Sequence, residues 1–263
     1  MDDTHAAASP NFDPQIHQRL LRKGSERLGI PLTDAQLAQF ETYQRALVEW
    51  NSRFNLTAIT DYEEVQVKHF LDCLAGLPPL LEELGEATAP ARSYHLADIG
   101  TGAGFPGIPL KLAVPRLKVS LIDGTGKKIT FLRQVIAQLQ LANIEAVQGR
   151  AEELGRQSAH RGQYDIVTAR AVAPLNTLVE YMLPLVRRGG YALVYKGASA
   201  PDEYIDARRA IDLLGGETTR LAPVEVPFLD AERYVVLIKK VDRTPQQYPR
   251  SQGLARKRPL GEE

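Results

Sequence analysis

The sequence has very little cysteine: Cys73 is the only one in 263 residues. A single thiol cannot form an internal disulfide, which fits a reducing compartment, so a cytoplasmic protein is expected. No apolar run reaches the roughly 18 residues of a membrane span. The first residues also lack the basic and apolar regions of a signal peptide. We therefore expect a chain that neither crosses a membrane nor carries a signal peptide.

Several kinds of catalytic site are missing as well. The five histidines are scattered and no cysteine cluster exists, so no metal site is expected. Neither the Gly-Lys-Ser/Thr phosphate loop nor the Gly-x-Ser-x-Gly nucleophile turn is present. The 32 basic residues balance the 32 acidic ones, giving a formal net charge of zero. Any affinity for nucleic acid must therefore come from local patches.

The most informative stretch that is present runs from Tyr94 to Leu110. An apolar run around Asp98 predicts a strand, alternating glycines predict a loop, and a helical apolar pattern follows. Glycine lets the main chain turn sharply and lets a ligand lie against it, and a helix start offers unpaired N–H groups. The loop glycines, which are candidate ligand contacts, are Gly100, Gly102 and Gly104.

The chemistry around this loop leaves two ligands open. The spacing of the glycines in this stretch also matches the dinucleotide fingerprint Gly-x-Gly-x-x-Gly. Asp98 would repel a phosphate there, however, and Pro106 and Pro109 remove N–H groups that a phosphate would bind. A second predicted strand ends at Asp123, which is placed to accept both hydroxyls of a ribose. The pattern suits S-adenosylmethionine (SAM) at least as well as NAD.

Strands and helices alternate after this loop as far as residue 240. This alternation indicates βαβ units in a parallel sheet covered on both faces, with one antiparallel strand near the end. A helix is predicted from Leu175 to Val186 and a strand from Gly190 to Tyr195. Ligands of such sheets bind at the carboxyl ends of the strands. That rule places five parts of the sequence at one crevice: Asp98–Phe105, Asp123, Gly149–Glu152, Arg170 and Lys196.

The chain divides into three predicted parts. Residues 1–92 form an N-terminal helical extension, of which residues 1–12 are expected to be disordered, and residues 93–241 form the ligand-binding domain. Residues 242–263 form a basic tail. Seven basic residues and one acidic residue lie between Lys239 and Leu260. This bias predicts either a solvated end or a contact with a polyanion.

Two helices of the extension have recognisable starts. Thr33 and Gln36 have capping-box spacing, and Asp61 is placed to begin a later helix. His69 and Asp72 lie three residues apart in that later helix and could touch. Because no serine or cysteine nucleophile has an obvious place beside them, we interpret them as a structural or substrate-positioning pair.

Six motifs occur in order: Trp50-Asn-x-x-x-Asn-Leu-Thr57, His69-Phe-Leu-Asp-x-Leu74, Asp98-Ile-Gly-Thr-Gly-Ala-Gly-Phe-Pro-Gly-Ile-Pro109, Gly149-Arg-Ala-Glu-Glu153, Thr168-Ala-Arg-Ala171 and Tyr195-Lys-Gly197. Together they resemble the RsmG/GidB family of bacterial small-subunit ribosomal RNA methyltransferases. The resemblance implies a class I SAM-dependent methyltransferase fold: a Rossmann-like, mostly parallel seven-stranded sheet with an N-terminal helical extension. It also implies transfer of a methyl group to N7 of one guanine in 16S rRNA, guanine-527 by the family's activity name.

The resemblance also implies roles for individual residues. It implies no catalytic residue beyond positioning, with Arg170 the nearest candidate. Asn51, Asn55, His69 and Lys196 would face the RNA. Plain structural alternatives exist: a helix cap for Glu152, an ion pair for Arg170, core packing for Phe105 and solvation for Lys196. The cofactor would be held by Asp98, Gly100, Gly102, Gly104, Phe105, Asp123, Ala151, Glu152 and Arg170.

The implied partner is 16S rRNA or a precursor of the small ribosomal subunit, and the protein is expected to be a monomer. Two other functions stay open at this point. One is a NAD-dependent oxidoreductase on the same fold, although no proton-transfer group for a nicotinamide is recognisable. The other is a SAM-binding regulator without catalytic activity.

Overall fold

The computed structural model describes residues 18–86 and 92–261. The predicted disorder of residues 1–12 lies outside these residues. Seven strands form a single sheet: β1 (His95–Ile99), β2 (Lys118–Asp123), β3 (Ile144–Gln148), β4 (Tyr164–Arg170), β5 (Val186–Lys196), β6 (Gly216–Pro223) and β7 (Tyr234–Lys240). Their order is β3-β2-β1-β4-β5-β7-β6; β7 pairs antiparallel with β5 and with β6, and the other neighbouring strands pair in parallel. The predicted fold class is confirmed.

Helices cover both faces of the sheet. One face carries α1 (Arg19–Arg27), α2 (Asp34–Phe54), α3 (Tyr62–Glu64, a π-helical turn Val65–Leu71, and Asp72–Leu74), α4 (Leu77–Glu83), α5 (Gly107–Ala113) and α6 (Gly126–Gln138). The other carries α7 (Ala151–Leu154), α8 (Leu175–Met182), α9 (Ala200–Leu213) and α10 (Leu254–Lys257). Alternate strand residues point to opposite faces. Two hydrophobic cores result, with the N-terminal helices in the first.

The N-terminal helices are tied to the glycine loop. The predicted capping box begins α2: the Thr33 N–H donates to Gln36 Oε1 at 2.8 Å, and the Gln36 N–H donates to Thr33 Oγ1 at 3.3 Å. Further along α2, the buried Tyr43 hydroxyl donates to the Ala103 carbonyl at 2.6 Å. The extension therefore packs directly on the loop that precedes α5.

The only cysteine lies inside this first core. Cys73 is fully buried in α3, and its carbonyl accepts a hydrogen bond of 2.7 Å from the Tyr195 hydroxyl. Burial raises the pKa of the Cys73 thiol far above its ordinary value. The thiol is therefore protonated and shielded from solvent.

One predicted boundary is wrong. The helix expected over 175–186 ends at Met182, and β5 begins at Val186 instead of Gly190. Val186 pairs with Tyr164, and the register of this pairing shifts before Ile166. A bulge of this kind lets extra residues enter a strand, which the apolar periodicity of the sequence does not reveal.

Residues 242–261, predicted as a basic tail, pack against the domain. The Arg161 guanidinium donates to the carbonyl oxygens of Thr244 at 2.8 Å and Tyr248 at 2.7 Å. Tyr248 and Ala255 are buried in the second core. The alternative of a solvated end is therefore wrong.

Two of the basic residues between Lys239 and Leu260 act inside the protein. Arg250 Nη2 lies 2.7 Å from Glu180 Oε2, and Arg250 Nε lies 3.0 Å from Glu180 Oε1, although Glu180 is completely buried. The buried Lys240 amine donates to the Leu214 carbonyl and the Thr244 hydroxyl, and burial lowers its pKa to about 7. Neither cation is free to bind a polyanion. Among the described helices, none is long and apolar enough to span a membrane.

Candidate active site

A cavity of about 540 Å³ lies at the carboxyl ends of β1, β2, β3 and β4. Small-molecule sites have volumes of about 300–1,000 Å³, so a nucleoside fits. Four of the predicted cofactor contacts line the cavity together, although they come from three parts of the sequence: Gly100, Asp123, Ala151 and Glu152. The topological rule used on the sequence therefore brings these residues to one place.

Gly100 leaves the cavity open because it has no side chain. Its φ of +66° lies in the left-handed region, and a Cβ built there would lie 2.8 Å from Val172 Cγ2. Any larger residue would be strained in its backbone and would collide with Val172. Glycine at this position therefore keeps the main chain accessible to a ligand.

Asp123 fixes the loop to the end of β2. Its Oδ2 accepts from the Gly102 N–H at 3.1 Å, and its Oδ1 accepts from the Thr125 N–H at 2.8 Å. Lys128 Nζ lies 3.5 Å from the same Oδ2. A carboxylate offers about four lone-pair positions, so Asp123 keeps acceptor capacity on the side that lines the cavity.

Asp98 lies beneath the loop and does not line the cavity. It is completely buried, and its Oδ2 accepts from Thr101 Oγ1 at 2.6 Å and from the Gly107 N–H at 2.8 Å. Asp98 Oδ1 has no hydrogen-bond partner among the described residues. Burial raises the pKa of this carboxyl to about 7. The geometry shows it holding both ends of the loop.

Gly104 and Phe105 also turn away from the cavity. Gly104 has a φ of +104°, and a Cβ there would lie 2.9 Å from the Tyr43 hydroxyl oxygen. The Phe105 ring, only 7% exposed, stacks on the His69 imidazole with 4.4 Å between the ring centroids. Phe105 is therefore packed in the core, as its structural alternative predicts.

A second cavity of about 380 Å³ adjoins the first. Ala171, which has a φ of +57°, lines both. Three predicted site residues meet in the second cavity: His69, Arg170 and Lys196. Arg170 is thus separated from the four residues that line the first cavity, and its predicted cofactor contact stays a prediction.

Arg170 joins β4 to the π-helical turn of α3. Its Nη1 lies 2.6 Å from Asp72 Oδ2 and donates to the Lys68 carbonyl at 3.0 Å. Its Nη2 lies 2.9 Å from His69 Nδ1. His69 and Asp72, predicted as a pair, are bridged by Arg170. A π-helical turn leaves carbonyl groups outside the ordinary ladder, and such turns often occur at functional sites.

His69 is held as a neutral imidazole. Burial and the neighbouring Arg170 charge lower its pKa to about 3. A guanidinium can only donate, so we assign Nδ1 as the acceptor from Arg170 and Nε2–H as the donor to Thr57 Oγ1, which lies 2.9 Å away. Both ring nitrogens are therefore occupied, and His69 is poorly placed to act as a general base.

Lys196 is paired inside the second cavity. Its Nζ lies 2.5 Å from Glu203 Oε2 and donates to the Ala173 carbonyl at 2.7 Å. The solvated alternative for this side chain is therefore wrong. An ammonium has three N–H donors, so one remains for a ligand.

The two asparagines predicted to face RNA shape the chain after α2. Asn51 Oδ1 accepts from the Thr57 N–H at 2.8 Å, which places the Thr57 hydroxyl beside His69. Asn55 is exposed and ends α2 with a φ of 47°. Neither lines the two cavities described here, and their contact with RNA stays a prediction.

Sequence reasoning missed several residues of the site. Gln252, Gly253 and Arg256 form part of the wall of the first cavity, and the Gly253 N–H donates to Glu152 Oε1 at 3.3 Å. The composition of this segment indicates only a basic tail, so no sequence signal points to the cavity. Arg233 was also missed; its Nε lies 2.9 Å from Asp72 Oδ1. Within residues 18–86 and 92–261, no group of His, Cys, Asp or Glu side chains is arranged to hold a metal ion.

Comparison with known proteins places the chain in a family. The model of the family described as rRNA small subunit methyltransferase G matches residues 36–232. A relative from Alkaliphilus oremlandii named ribosomal RNA small subunit methyltransferase G is 42% identical over 92% of this chain and 98% of its own length. Relatives of the same name from Chloroflexus aggregans and Roseiflexus castenholzii are 46% identical (92% of this chain, 98% of theirs) and 47% identical (88% and 95%).

Among solved structures, a SAM-dependent methyltransferase from Aquifex aeolicus superposes with a TM-score of 0.48 at 16% identity, covering 69% of this chain and 94% of that one. The sequence matches are far stronger and extend over nearly all of the relatives' length. The chain therefore belongs to the family described as rRNA small subunit methyltransferase G.

Proposed function

We propose that this protein is a SAM-dependent methyltransferase that transfers a methyl group to N7 of guanine-527 in 16S rRNA. Family membership and the shared name of the relatives support the reaction class. The observation that carries the proposal is the meeting of Gly100, Asp123 and Glu152 in one nucleoside-sized cavity beside a second, partly cationic one. A ribosomal RNA substrate also implies work in the cytoplasm, and we expect a monomer.

The residues of the first cavity fit SAM. Bound there, SAM supplies a methyl group on a sulfonium centre. Asp123 keeps lone pairs for the ribose hydroxyls, and Ala151 and Glu152 would meet the adenine. Gly100 leaves the space that a Cβ would fill, so the main chain can approach the amino-acid end. Asp98, Gly102 and Gly104 would act by holding the loop in shape.

The second cavity is suited to an RNA base. It is lined by four cationic residues, Lys68, Arg170, Lys196 and Arg233, and by one carboxylate, Asp72. Cations favour the phosphates of RNA. Base atoms in an A-form duplex are out of reach of side chains in the deep major groove, so the target guanine must be unpaired or extruded.

The chemistry requires alignment rather than a general base. Guanine N7 carries an in-plane lone pair and no proton, so no proton has to be removed during an in-line attack. The neutral, fully hydrogen-bonded His69 agrees with this requirement. Positioning two reactants can lower a barrier by roughly 7–11 kcal/mol. Arg170 would contribute by positioning the base in the second cavity, and Phe105 would support it from the core, since the guanidinium carbon lies 5.2 Å from the ring centroid.

Methyl transfer to RNA tests the proposal directly. Tritiated SAM is incubated with the protein and with deproteinised 16S rRNA or small subunits from cells lacking the modification. The expected result is label at one guanine. Binding of SAM without labelling of either substrate would point to a regulator instead. Binding of NADH but not SAM would point to an oxidoreductase.

A further inference from the structure

The C-terminal segment, defined here as residues 249–258, supplies a wall of the first cavity. Gln252, Gly253 and Arg256 line it. This segment follows residues 36–232, the range that the family model matches.

Three contacts fix the segment in place. Arg250 forms the ion pair with the buried Glu180, and Arg156 Nε donates to the Pro249 carbonyl at 2.8 Å. The Gly253 N–H donates to Glu152, which itself lines the cavity. Because both its start and its middle are held, the segment presents Arg256 to the cavity in a defined position.

The cations of the cavity differ in their surroundings. Lys128 lies 3.5 Å from the Asp123 carboxylate. Arg150 lies beside Gly124 at the end of β2, with its Cζ 3.6 Å from the position of a Gly124 Cβ. Arg256 Nη2 donates to the Val172 carbonyl at 3.1 Å. A carbonyl is neutral, and in the described part of the chain no carboxylate forms an ion pair with Arg256.

Val172 places Arg256 on the glycine-loop side of the cavity. The Val172 carbonyl binds Arg256, while the Val172 side chain lies against Gly100, where it would collide with a Cβ at 2.8 Å. Ala151 and Glu152 line the cavity from the β3 side instead. Lys128 Nζ also lies near the loop, 4.0 Å from the position of a Gly102 Cβ, but it is paired with Asp123. Arg256 is thus the loop-side cation of the cavity that has no ion pair among the described residues.

We propose that Arg256 binds the carboxylate of the amino-acid end of the cofactor. This inference rests on the proposed function. SAM has one carboxylate, and an arginine fork binds a carboxylate through paired, charge-assisted hydrogen bonds. Arg256 uses one N–H group on Val172 and has further donors for this purpose. It acts as a cofactor-binding residue that selects for the amino-acid part.

Two nucleosides test this assignment. S-adenosylhomocysteine carries the carboxylate, whereas 5′-methylthioadenosine has the same adenosine and lacks the whole amino-acid end. Their dissociation constants are measured by calorimetric titration for the wild type, Arg256→Gln and Arg256→Lys. The control is Arg208→Gln, because Arg208 is an exposed arginine of α9 that does not line the cavity.

We expect Arg256→Gln to weaken binding of S-adenosylhomocysteine about tenfold, the loss of one charge-assisted contact, and to leave 5′-methylthioadenosine within about twofold. Arg256→Lys should restore part of the loss, and Arg208→Gln should change neither constant. If Arg256→Gln weakened the binding of both nucleosides equally, or of neither, the assignment of Arg256 would be overturned but the proposed function would not be refuted. A wild type that binds neither would refute the proposed function as well.

Discussion

Arg170 Nη1 lies 2.6 Å from Asp72 Oδ2, and this ion pair joins the carboxyl end of β4 to helix α3 of the N-terminal extension. Arg233, immediately before β7, holds the other carboxylate oxygen at 2.9 Å. A single carboxylate thus connects three separate parts of the fold at the second cavity. The extension is consequently part of the site and cannot be treated as an independent domain.

Removing this carboxylate should lower the free energy of unfolding. Asp72→Asn leaves the Arg170 charge, whose side chain is only 14% exposed, without its counter-ion. Loss of one partner of a buried pair typically costs about 3–5 kcal/mol, and we expect a loss near the lower figure because Asn can still accept one hydrogen bond. Urea unfolding measures it, with Glu217→Gln as the control because Glu217 is exposed and forms no ion pair with another described residue. Equal stability of the two variants would contradict the described role of Asp72.

Asp98 should impose a pH dependence on stability. Its folded pKa of about 7 exceeds its ordinary value of 3.8, so the folded state binds more protons than the unfolded state between these two values. Stability contributed by this group is therefore greatest at low pH and falls as pH rises from about 4 to about 7. Asp98→Asn should remove this slope. Urea unfolding at a series of pH values checks it; parallel curves for the two proteins would refute the assignment.

Asp123 should matter for the cofactor more than for the fold. Asp123→Asn keeps one oxygen acceptor but loses the charge-assisted contact with the ribose, so SAM affinity should fall about tenfold or more. Calorimetric titration measures the affinity, and thermal unfolding shows whether the fold is kept. Glu153→Gln serves as a matched control because Glu153 is exposed beside Glu152 and does not line the cavity. Unchanged affinity in Asp123→Asn would remove Asp123 from the site.

Gly100 should tolerate no side chain. Gly100→Ala combines a left-handed φ of +66° with an overlap at 2.8 Å from Val172 Cγ2, so we expect a loss of about 1–3 kcal/mol and weaker SAM binding. Adding Val172→Ala should relieve the overlap but not the backbone strain, giving partial recovery. Urea unfolding of the single and double variants separates the two causes. Failure of the second change to recover any stability would show that Val172 is not the obstacle.

Contact of the C-terminal region with a polyanion stays a prediction. Only the exposed cations of this region remain candidates for that contact. Lys257→Gln combined with Arg258→Gln should weaken 16S rRNA binding and reduce the slope of affinity against salt concentration. Filter binding at several salt concentrations measures both quantities. This pair is preferable to cutting at Val241, since truncation would also leave the buried Glu180 without Arg250. Identical slopes in variant and wild type would leave these cations without a role in RNA binding.

The parts of the site that depend on topology could be predicted from the sequence. Gly100, Asp123 and Glu152 lie at or just after the ends of three parallel strands, and parallel strands all end at the same edge of a sheet. Which residues of this stretch line the cavity could not be predicted, because only the packing shows that the side chains of Asp98 and Phe105 are buried away from it. The start of β5 at Val186 could not be predicted either, because a bulge leaves no periodic pattern in the sequence.

The C-terminal segment marks a different limit of sequence reading. The sequence gives no sign that its arginines differ, yet Arg250 forms an ion pair with the buried Glu180 whereas Arg256 lines the first cavity. Only the three-dimensional packing distinguishes an internal counter-ion from a surface cation. Composition therefore predicted the charge of this region but not what the charge contacts.

The burial of Cys73 has a practical consequence. A thiol that is protonated and sealed in the core reacts slowly with maleimides and other alkylating dyes. A cysteine introduced at an exposed position would then be the fast-labelling site, with no need to replace the native one. Fluorophores could in this way be attached on either side of the first cavity to follow nucleoside and RNA binding in an otherwise unmodified protein.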